Sequence, residues 1–167
     1  ATPRTRLAAA AGLAVEDGIL VDGRLQTGVP GIFAAGDVAN HLHPRLGRLR
    51  VEHWDNALHQ GPAAARGMLG SAEDYERLPY FFSDQYDTGM EYAGFVRSWD
   101  RVVFRGDPAT REFLAFWMAG DRVVAGMNFN VWDINDDIQR LIGQRIAVDD
   151  RRLADPGVPL ETLVPEG

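Results

Sequence analysis

The chain has 167 residues, 46% of them hydrophobic and 25% charged, with a formal net charge of −7. That length can bury the core of one domain or one and a fraction, and the acidic balance disfavours contact with nucleic acid or an anionic membrane. Cysteine is absent, so disulfides, thiolate metal sites and redox thiol pairs are excluded, and any redox chemistry must belong to a cofactor.

The opening residues, Ala1 to Arg4, lack the apolar stretch of a signal peptide, and no apolar run approaches the roughly 20 residues of a membrane span. A cytoplasmic location is expected. The Ala-rich stretch Thr5 to Gly12 reads as the end of a helix, with Gly12 just past its last turn. Ile19-Leu20-Val21 and Leu25 flank Asp22-Gly23, a hairpin signal. Gly31-Ile32-Phe33-Ala34-Ala35 reads as a buried strand that stops at Gly36-Asp37, and residues 38–50, rich in His, Pro, Gly and Arg, as a loop. From Val51 to Leu69 the spacing of Trp54, Ala57, Leu58, Ala65, Met68 and Leu69 predicts a helix with those residues on its apolar face. Pro62 should kink it or begin a second helix. The polar stretch Gly70 to Asp74 is the expected boundary.

Beyond it, Glu91 to Phe95, Val102 to Phe104, Phe113 to Met118 and Val123 to Met127 read as strands, with turns at Gly106-Asp107-Pro108 and Ala119-Gly120-Asp121. The third run is apolar on both faces and should be a central, covered strand. A helix follows, capped by Asp133 or Asn135, with Asp136 and Asp137 in its first turn and Ile134, Ile138, Leu141, Ile142 and Ile146 on one face. Strands followed by a helix on one face predict an α+β module for residues 76–167.

The segment with most chemistry is Ile32 to Asp37. An apolar strand ending in Gly-Asp puts a carboxylate at the carboxyl edge of a sheet, where open α/β sheets bind ligands. Gly36 would let backbone approach a ligand, and Asp37 would accept hydrogen bonds from a polyol. Taken alone, Asp37 reads equally as a turn or cap residue. The helix that follows would present its N-terminus beside the same edge, and a helix N-terminus favours an anionic ring system or a phosphate.

Gly31-Ile-Phe-Ala-Ala-Gly-Asp37 resembles the second FAD motif of the two-dinucleotide flavoprotein disulfide-reductase superfamily. Val51-Glu-His-Trp-Asp-Asn-Ala57, Gln60-Gly61 and Leu78-Pro-Tyr-Phe-Phe-Ser-Asp84 resemble the reductases of bacterial ferredoxin-linked oxygenase and cytochrome P450 systems, and the likeness runs from about Arg4 to Gly143. It implies an α/β remnant of the NAD- and FAD-binding domains, followed by an α+β C-terminal reductase domain with an antiparallel sheet and helices on one face. It implies FAD and NAD(P)H as cofactors and electron transfer to an acidic ferredoxin-type iron–sulfur protein. For the residues it implies Gly36 and Asp37 at the ribityl chain, Trp54 at the isoalloxazine, Glu52 and His53 in the nearby flavin and nicotinamide environment, and Tyr80, with Phe82, covering the flavin. Family members carrying tryptophans in that last run differ from the Tyr/Phe pair here.

Each of these residues has a plainer alternative. Trp54 on an apolar helical face reads as core, Tyr80-Phe81-Phe82 as a domain seal, and Glu52 as a first-turn carboxylate facing the helix dipole. Arg45, Arg48 and Arg50 form a basic island that reads either as a steering patch for an acidic ferredoxin or as a solvated loop. His41 and His43 at i, i+2 do not make a metal site, because nothing joins them at ligand spacing.

The Gly-x-Gly-x-x-Gly turns that hold dinucleotide pyrophosphates are absent from this sequence. In the enzymes it resembles, the FAD domain is interrupted by the NAD domain, so the resemblance implies that residues 1–30 are the trailing edge of an NAD-binding domain and 31–75 the returning part of an FAD-binding domain, in a fragment inactive alone. The disulfide-reductase branch of that superfamily normally ends with a His-Pro…Glu segment, whereas the only His-Pro here, His43-Pro44, lies far from the C-terminus, a departure that disfavours a thiol–disulfide mechanism. The competing readings are a related NADH-dependent flavoprotein, of monodehydroascorbate-reductase or NADH-oxidase type, and a non-catalytic docking or dimerisation module. Oligomeric state, a homodimer included, stays open.

Overall fold

In the computed structural model, which describes residues 1–164, the chain divides into two units, Ala1–Arg77 and Leu78–Gly167. In the first, helix α1 (Arg6–Ala10) closes with the Gly12 N–H donating to Ala9 and the Leu13 N–H to Ala8, which satisfies two of its last carbonyls. Strand β1 (Ile19–Val21) leads into a turn where the Asp22 carboxylate accepts from the amides of Arg24 and Gln26, both at 2.9 Å. The expected hairpin is reduced to isolated bridges, Val21 with Thr27 among them. Leu25, fully buried at φ +66°, turns the chain into the core instead of along β1.

Gly31 to Ala35 is not a sheet strand. Phe33 makes a single bridge to Gln26, Ile32 is 39% exposed, and the segment spends its hydrogen bonds on the irregular turn before it: Thr27 donates to Ile32 and Ala34 to Leu25. Residues 38–50 are likewise not a loop. After a short 3-10 turn at Gly36–Val38 they form β2 (Ala39–His43) and β3 (Gly47–Arg50), an antiparallel hairpin, and β2 pairs in parallel with β1 to complete a three-stranded sheet. Pro44 to Leu46 followed by Gly47 at φ +74° is a three-residue hairpin loop, held by His43 Nδ1, which accepts from the amides of Arg45 and Leu46 at 3.1 and 3.2 Å.

Helix α2 (Trp54–Met68) runs through Pro62 as one element, with no second helix. Its inward face is not the expected apolar one: Trp54, Leu58, Met68 and Leu69 are 64%, 50%, 61% and 88% exposed, whereas Asp55, Asn56, Gln60 and Ala64 are buried. The inward side chains answer polar groups, as when Asn56 donates to the Val51 carbonyl at 3.1 Å. Small residues further along let the helix approach Phe33: a Cβ at Gly67 would stand 2.9 Å from that ring. The core comprises Val21, Leu25, Ala34, Ala39, Ala64 and Tyr75. The Tyr75 N–H donates to the Gly23 carbonyl at 2.8 Å, so the chain returns to this unit past the polar stretch before leaving it.

The second unit is a five-stranded antiparallel sheet in the order β4-β5-β8-β7-β6, built from β4 (Tyr80–Gln85), β5 (Thr88–Gly94), β6 (Arg101–Asp107), β7 (Glu112–Ala119) and β8 (Arg122–Phe129). The expected strands are present, and the aromatic run at Tyr80 is an additional edge strand. β7 lies between β8 and β6 with Leu114, Ala115, Phe116 and Met118 buried, although the middle strand is β8. The registers put Tyr80, Ala93, Gly126, Phe116 and Val103 on one face. Helix α3 (Asn135–Gln144) packs there, so closely that a Cβ on Gly126 would meet Ile138 at 2.4 Å. Helix α4 (Asp150–Ala154) covers the same face over β6: Arg101 makes a bidentate pair with Asp150 at 2.6 and 2.7 Å, and Arg105 donates to the Val158 carbonyl at 2.6 Å. The other face carries the rings of Phe81, Tyr92 and Trp117, in edge contacts of 5.8 and 5.4 Å, and the stacked pair Phe113 and Phe129. Neither expected residue caps α3. Ile134 holds the cap position and Asp133 sits at φ +59°, while Asn135 turns inward to donate to fully buried Asn128 at 3.2 Å, which would otherwise lack that partner.

Candidate functional site

Five of the six residues singled out by sequence gather where the Gly36–Val38 turn meets the first turns of α2. Gly36 is buried at φ +75°, its N–H donates to Gln60 Oε1 at 2.8 Å, and a Cβ there would stand 3.3 Å from that of Ala57. The glycine therefore admits α2 rather than a ligand, a different use from the expected one. Asp37 is exposed, and its carboxylate makes no hydrogen bond or ion pair among the described residues; its carbonyl accepts from Arg50 at 3.0 Å. The same guanidinium, 11% exposed, bonds Asp17 at 3.0 Å and pairs with Glu52. His53 caps α2, its Nδ1 accepting from the Asp55 amide at 3.2 Å. Trp54, at the first helical position, is mostly exposed and so is not core.

Tyr80 belongs to the second unit, at the start of β4. Its hydroxyl donates to Glu91 Oε1 at 2.6 Å, and Glu91 Oε2 accepts from Asn128 at 2.7 Å.

Two arginines of the basic island are committed to the fold. Arg48 donates to the carbonyls of Asn40 at 2.7 Å and Val21 at 3.2 Å, and Arg50 serves three partners as above. Arg45 is exposed. His41 and His43 are 2% and 1% exposed, their rings 5.6 Å apart, and neither Nε2 has a hydrogen-bond partner among the described residues. Burial, then the neighbouring charges of His43 and Arg48, pushes His41 down to about 4; burial also lowers His43. No group of three or more His, Asp or Glu able to hold a metal occurs among the described residues, and none of their helices is long and apolar enough to cross a membrane.

Sequence reasoning missed three structural contributors. Gln60, fully buried, stood only in a quoted motif; Asp55 binds Arg77 through two bonds of 2.9 Å; and Glu91 was read simply as a strand residue. No spacing rule flags a polar residue that faces inward from a helix.

The pyridine nucleotide-disulphide oxidoreductase family matches residues 1–61, and the Reductase C-terminal family matches residues 80–164. The ferredoxin–NAD(+) reductase component of the anthranilate 1,2-dioxygenase system of Burkholderia cepacia is 41% identical over 164 residues, covering 97% of this chain and 40% of that protein. The crystal structure of the ferredoxin reductase for the CYP199A2 system from Rhodopseudomonas palustris superposes with a TM-score of 0.91 at 32% identity, over 98% of this chain and 41% of that one. The reductase in the covalent putidaredoxin reductase–putidaredoxin complex gives 0.87 at 36% identity, over 97% and 39%. The chain thus spans about 40% of the length of the relatives it matches. With the second match taking in just over half of its residues, the chain belongs to the Reductase C-terminal family, joined to a preceding segment of the pyridine nucleotide-disulphide oxidoreductase family.

Proposed function

We propose that this chain is the C-terminal part of a cytoplasmic FAD-dependent enzyme that passes electrons from NAD(P)H to an acidic ferredoxin-type iron–sulfur protein. The observation that carries the reading is the Gly36–Asp37 turn, pinned against the start of α2 with an exposed carboxylate that nothing within the described residues engages. An unengaged carboxylate on a fixed turn suits a polyol chain, and the cofactor implied by the relatives carries one. Residues 1–30 are assigned to the trailing edge of the NAD-binding domain, 31–75 to the returning part of the FAD-binding domain, and 76–167 to the C-terminal reductase domain.

FAD, when bound, takes up the reducing equivalents of NAD(P)H and hands them on singly. The side chains of this chain bind and orient. Asp37 accepts from the ribityl hydroxyls, Trp54 offers an exposed ring to the isoalloxazine, and Glu52 stays ionised beside Arg50. His53 fixes the start of α2, and within the second unit Glu91 anchors the hydroxyl of Tyr80, the residue that the likeness to the reductases assigns to covering the flavin. No nucleophile or general acid is required of them. Steering of an acidic partner is assigned to the basic island of Arg45, Arg48 and Arg50, of which Arg45 is the exposed member.

The test uses the longer protein, with the preceding sequence that would complete the FAD and NAD domains. It should purify with bound FAD, and its NADH-driven cytochrome c reduction should require added ferredoxin. Reduction independent of ferredoxin would reject the assignment. Residues 1–167 alone should neither retain FAD tightly nor oxidise NADH.

A further inference from the structure

A buried chain of hydrogen bonds lies behind the turn that carries Asp37. The Gly36 N–H donates to Gln60 Oε1 at 2.8 Å. A backbone N–H is a donor only, so the Gln60 oxygen must face Gly36 and its amide nitrogen must face away. On that side lies His41 Nδ1, 3.4 Å from Gln60 Nε2. An amide nitrogen only donates, so His41 Nδ1 accepts and its ring proton resides on Nε2. One backbone donor thus fixes the direction of the whole relay. Gln60 is 0% and His41 2% exposed, so solvent does not compete for these bonds. One turn earlier on the same helix, Ala57 also bounds this peptide: a Cβ on Gly36 would come to 3.3 Å from its Cβ. Gly36, at φ +75°, has conformational freedom that other residues lack, and the relay and Ala57 remove it.

We infer that Gln60 and His41 are positioning residues for the cofactor site: by holding the Gly36 peptide they set the direction in which Asp37 presents its carboxylate. The inference rests on the assignment of Asp37 to FAD made above. It concerns binding geometry, not a step of the reaction, and a residue that merely stabilised the fold would show no energetic coupling to Asp37.

The experiment measures FAD dissociation constants on the full-length apoenzyme, by flavin fluorescence, for a double-mutant cycle. Asp37→Ala should weaken binding by ~10- to 100-fold, the loss of a hydrogen bond to a charged group. Gln60→Met, of equal length but without the amide, should weaken it by ~10-fold, and the double variant should be no more than ~2-fold weaker than Asp37→Ala alone. If Gln60→Met binds FAD normally, or the two losses multiply independently, the positioning role is rejected while the cofactor reading stands. If Asp37→Ala has no effect, the assignment of Asp37 falls and takes this inference with it. Should Gln60→Met not fold, a second pair decides. His41→Asn keeps an acceptor near the place of Nδ1 and should retain FAD affinity within ~2-fold, whereas His41→Leu should lose ~10-fold. Equal affinities for that pair overturn the inference.

Discussion

Asp55 is a buried carboxylate at the start of α2 whose charge is answered by Arg77, through two bonds of 2.9 Å, with His59 Nδ1 at 3.3 Å as a second neighbour. Arg77 is itself 35% exposed, so solvent screens the pair, and its Coulombic contribution is smaller than that of a fully buried bridge. Removing the arginine is still costly, because Asp55 stays buried with its charge. Arg77→Met is expected to lower stability by about 2 kcal/mol, read as a shift in urea midpoint with unchanged slope. Asp55→Asn should cost less, since its amide retains one acceptor for Arg77. His41 offers a second test at this scale. Its folded-state value lies near 4, below the ordinary 6.5, so on acidification the unfolded chain takes up the proton first. The stability this group contributes is complete above pH 6.5 and is lost as the pH falls towards 4; His43, lowered for the same reason, adds in the same sense. At about 1.4 kcal/mol per unit, His41 accounts for roughly 2–3 kcal/mol between those limits. Unfolding curves at pH 7 and pH 4.5 should differ more for the natural chain than for His41→Asn, which has no ring to protonate.

Gly126 and Gly143 make a matched pair at the scale of elements. A Cβ on Gly126 would meet Ile138 at 2.4 Å and Phe116 at 3.3 Å, so Gly126→Ala must push α3 off β8 and should cost roughly 1–3 kcal/mol. Gly143, within α3, has nothing within 4 Å of its missing Cβ, so Gly143→Ala should stabilise by about 0.5–1 kcal/mol by reducing the freedom of the unfolded chain. Melting temperatures moving in opposite directions would check both. The same elements show what hydrophobic patterning can and cannot read. β5 to β8 were legible because their residues are apolar in runs, and turn residues mark their ends. β2 was not, because its buried positions hold Asn40, His41 and His43, which carry no hydrophobic signal. The face of α2 misled for a related reason: its apolar residues point outward, and Asn56 and Gln60 point inward because backbone groups there need partners. The Gly36–Asp37 turn stood out through its motif, although not at the end of a sheet strand, and the relay behind it runs through Gln60 and His41, polar inward residues on which periodicity says nothing.

At the scale of the whole molecule the two units differ in how they are built. The first relies on polar anchoring around a small core, whereas the second closes a sheet whose strands are joined by short turns and whose helices follow it in sequence. Near the end of the first unit, Leu69, Gly70, Ala72, Glu73 and Asp74 are exposed, and regular structure does not resume until Tyr80. Proteases cut exposed segments of this kind, so limited digestion should cleave between Leu69 and Asp74, near the end of the first unit, before the second unit is attacked. The released C-terminal piece should then melt in a single cooperative transition. Three of its four strand pairings join sequence neighbours, α3 and α4 cover one face through Ile138 and the Arg101–Asp150 pair, and Asn135 donates to Asn128 inside. The face carrying Phe81, Tyr92, Trp117, Phe113 and Phe129 is the point on which that expectation turns, because its rings contact one another but are only partly buried. A broad transition, or dye binding typical of loosely packed apolar surface, would mean that the sheet depends on a cover outside residues 78–167. A sharp one would mean that cross-strand ring contacts suffice to hold that face together.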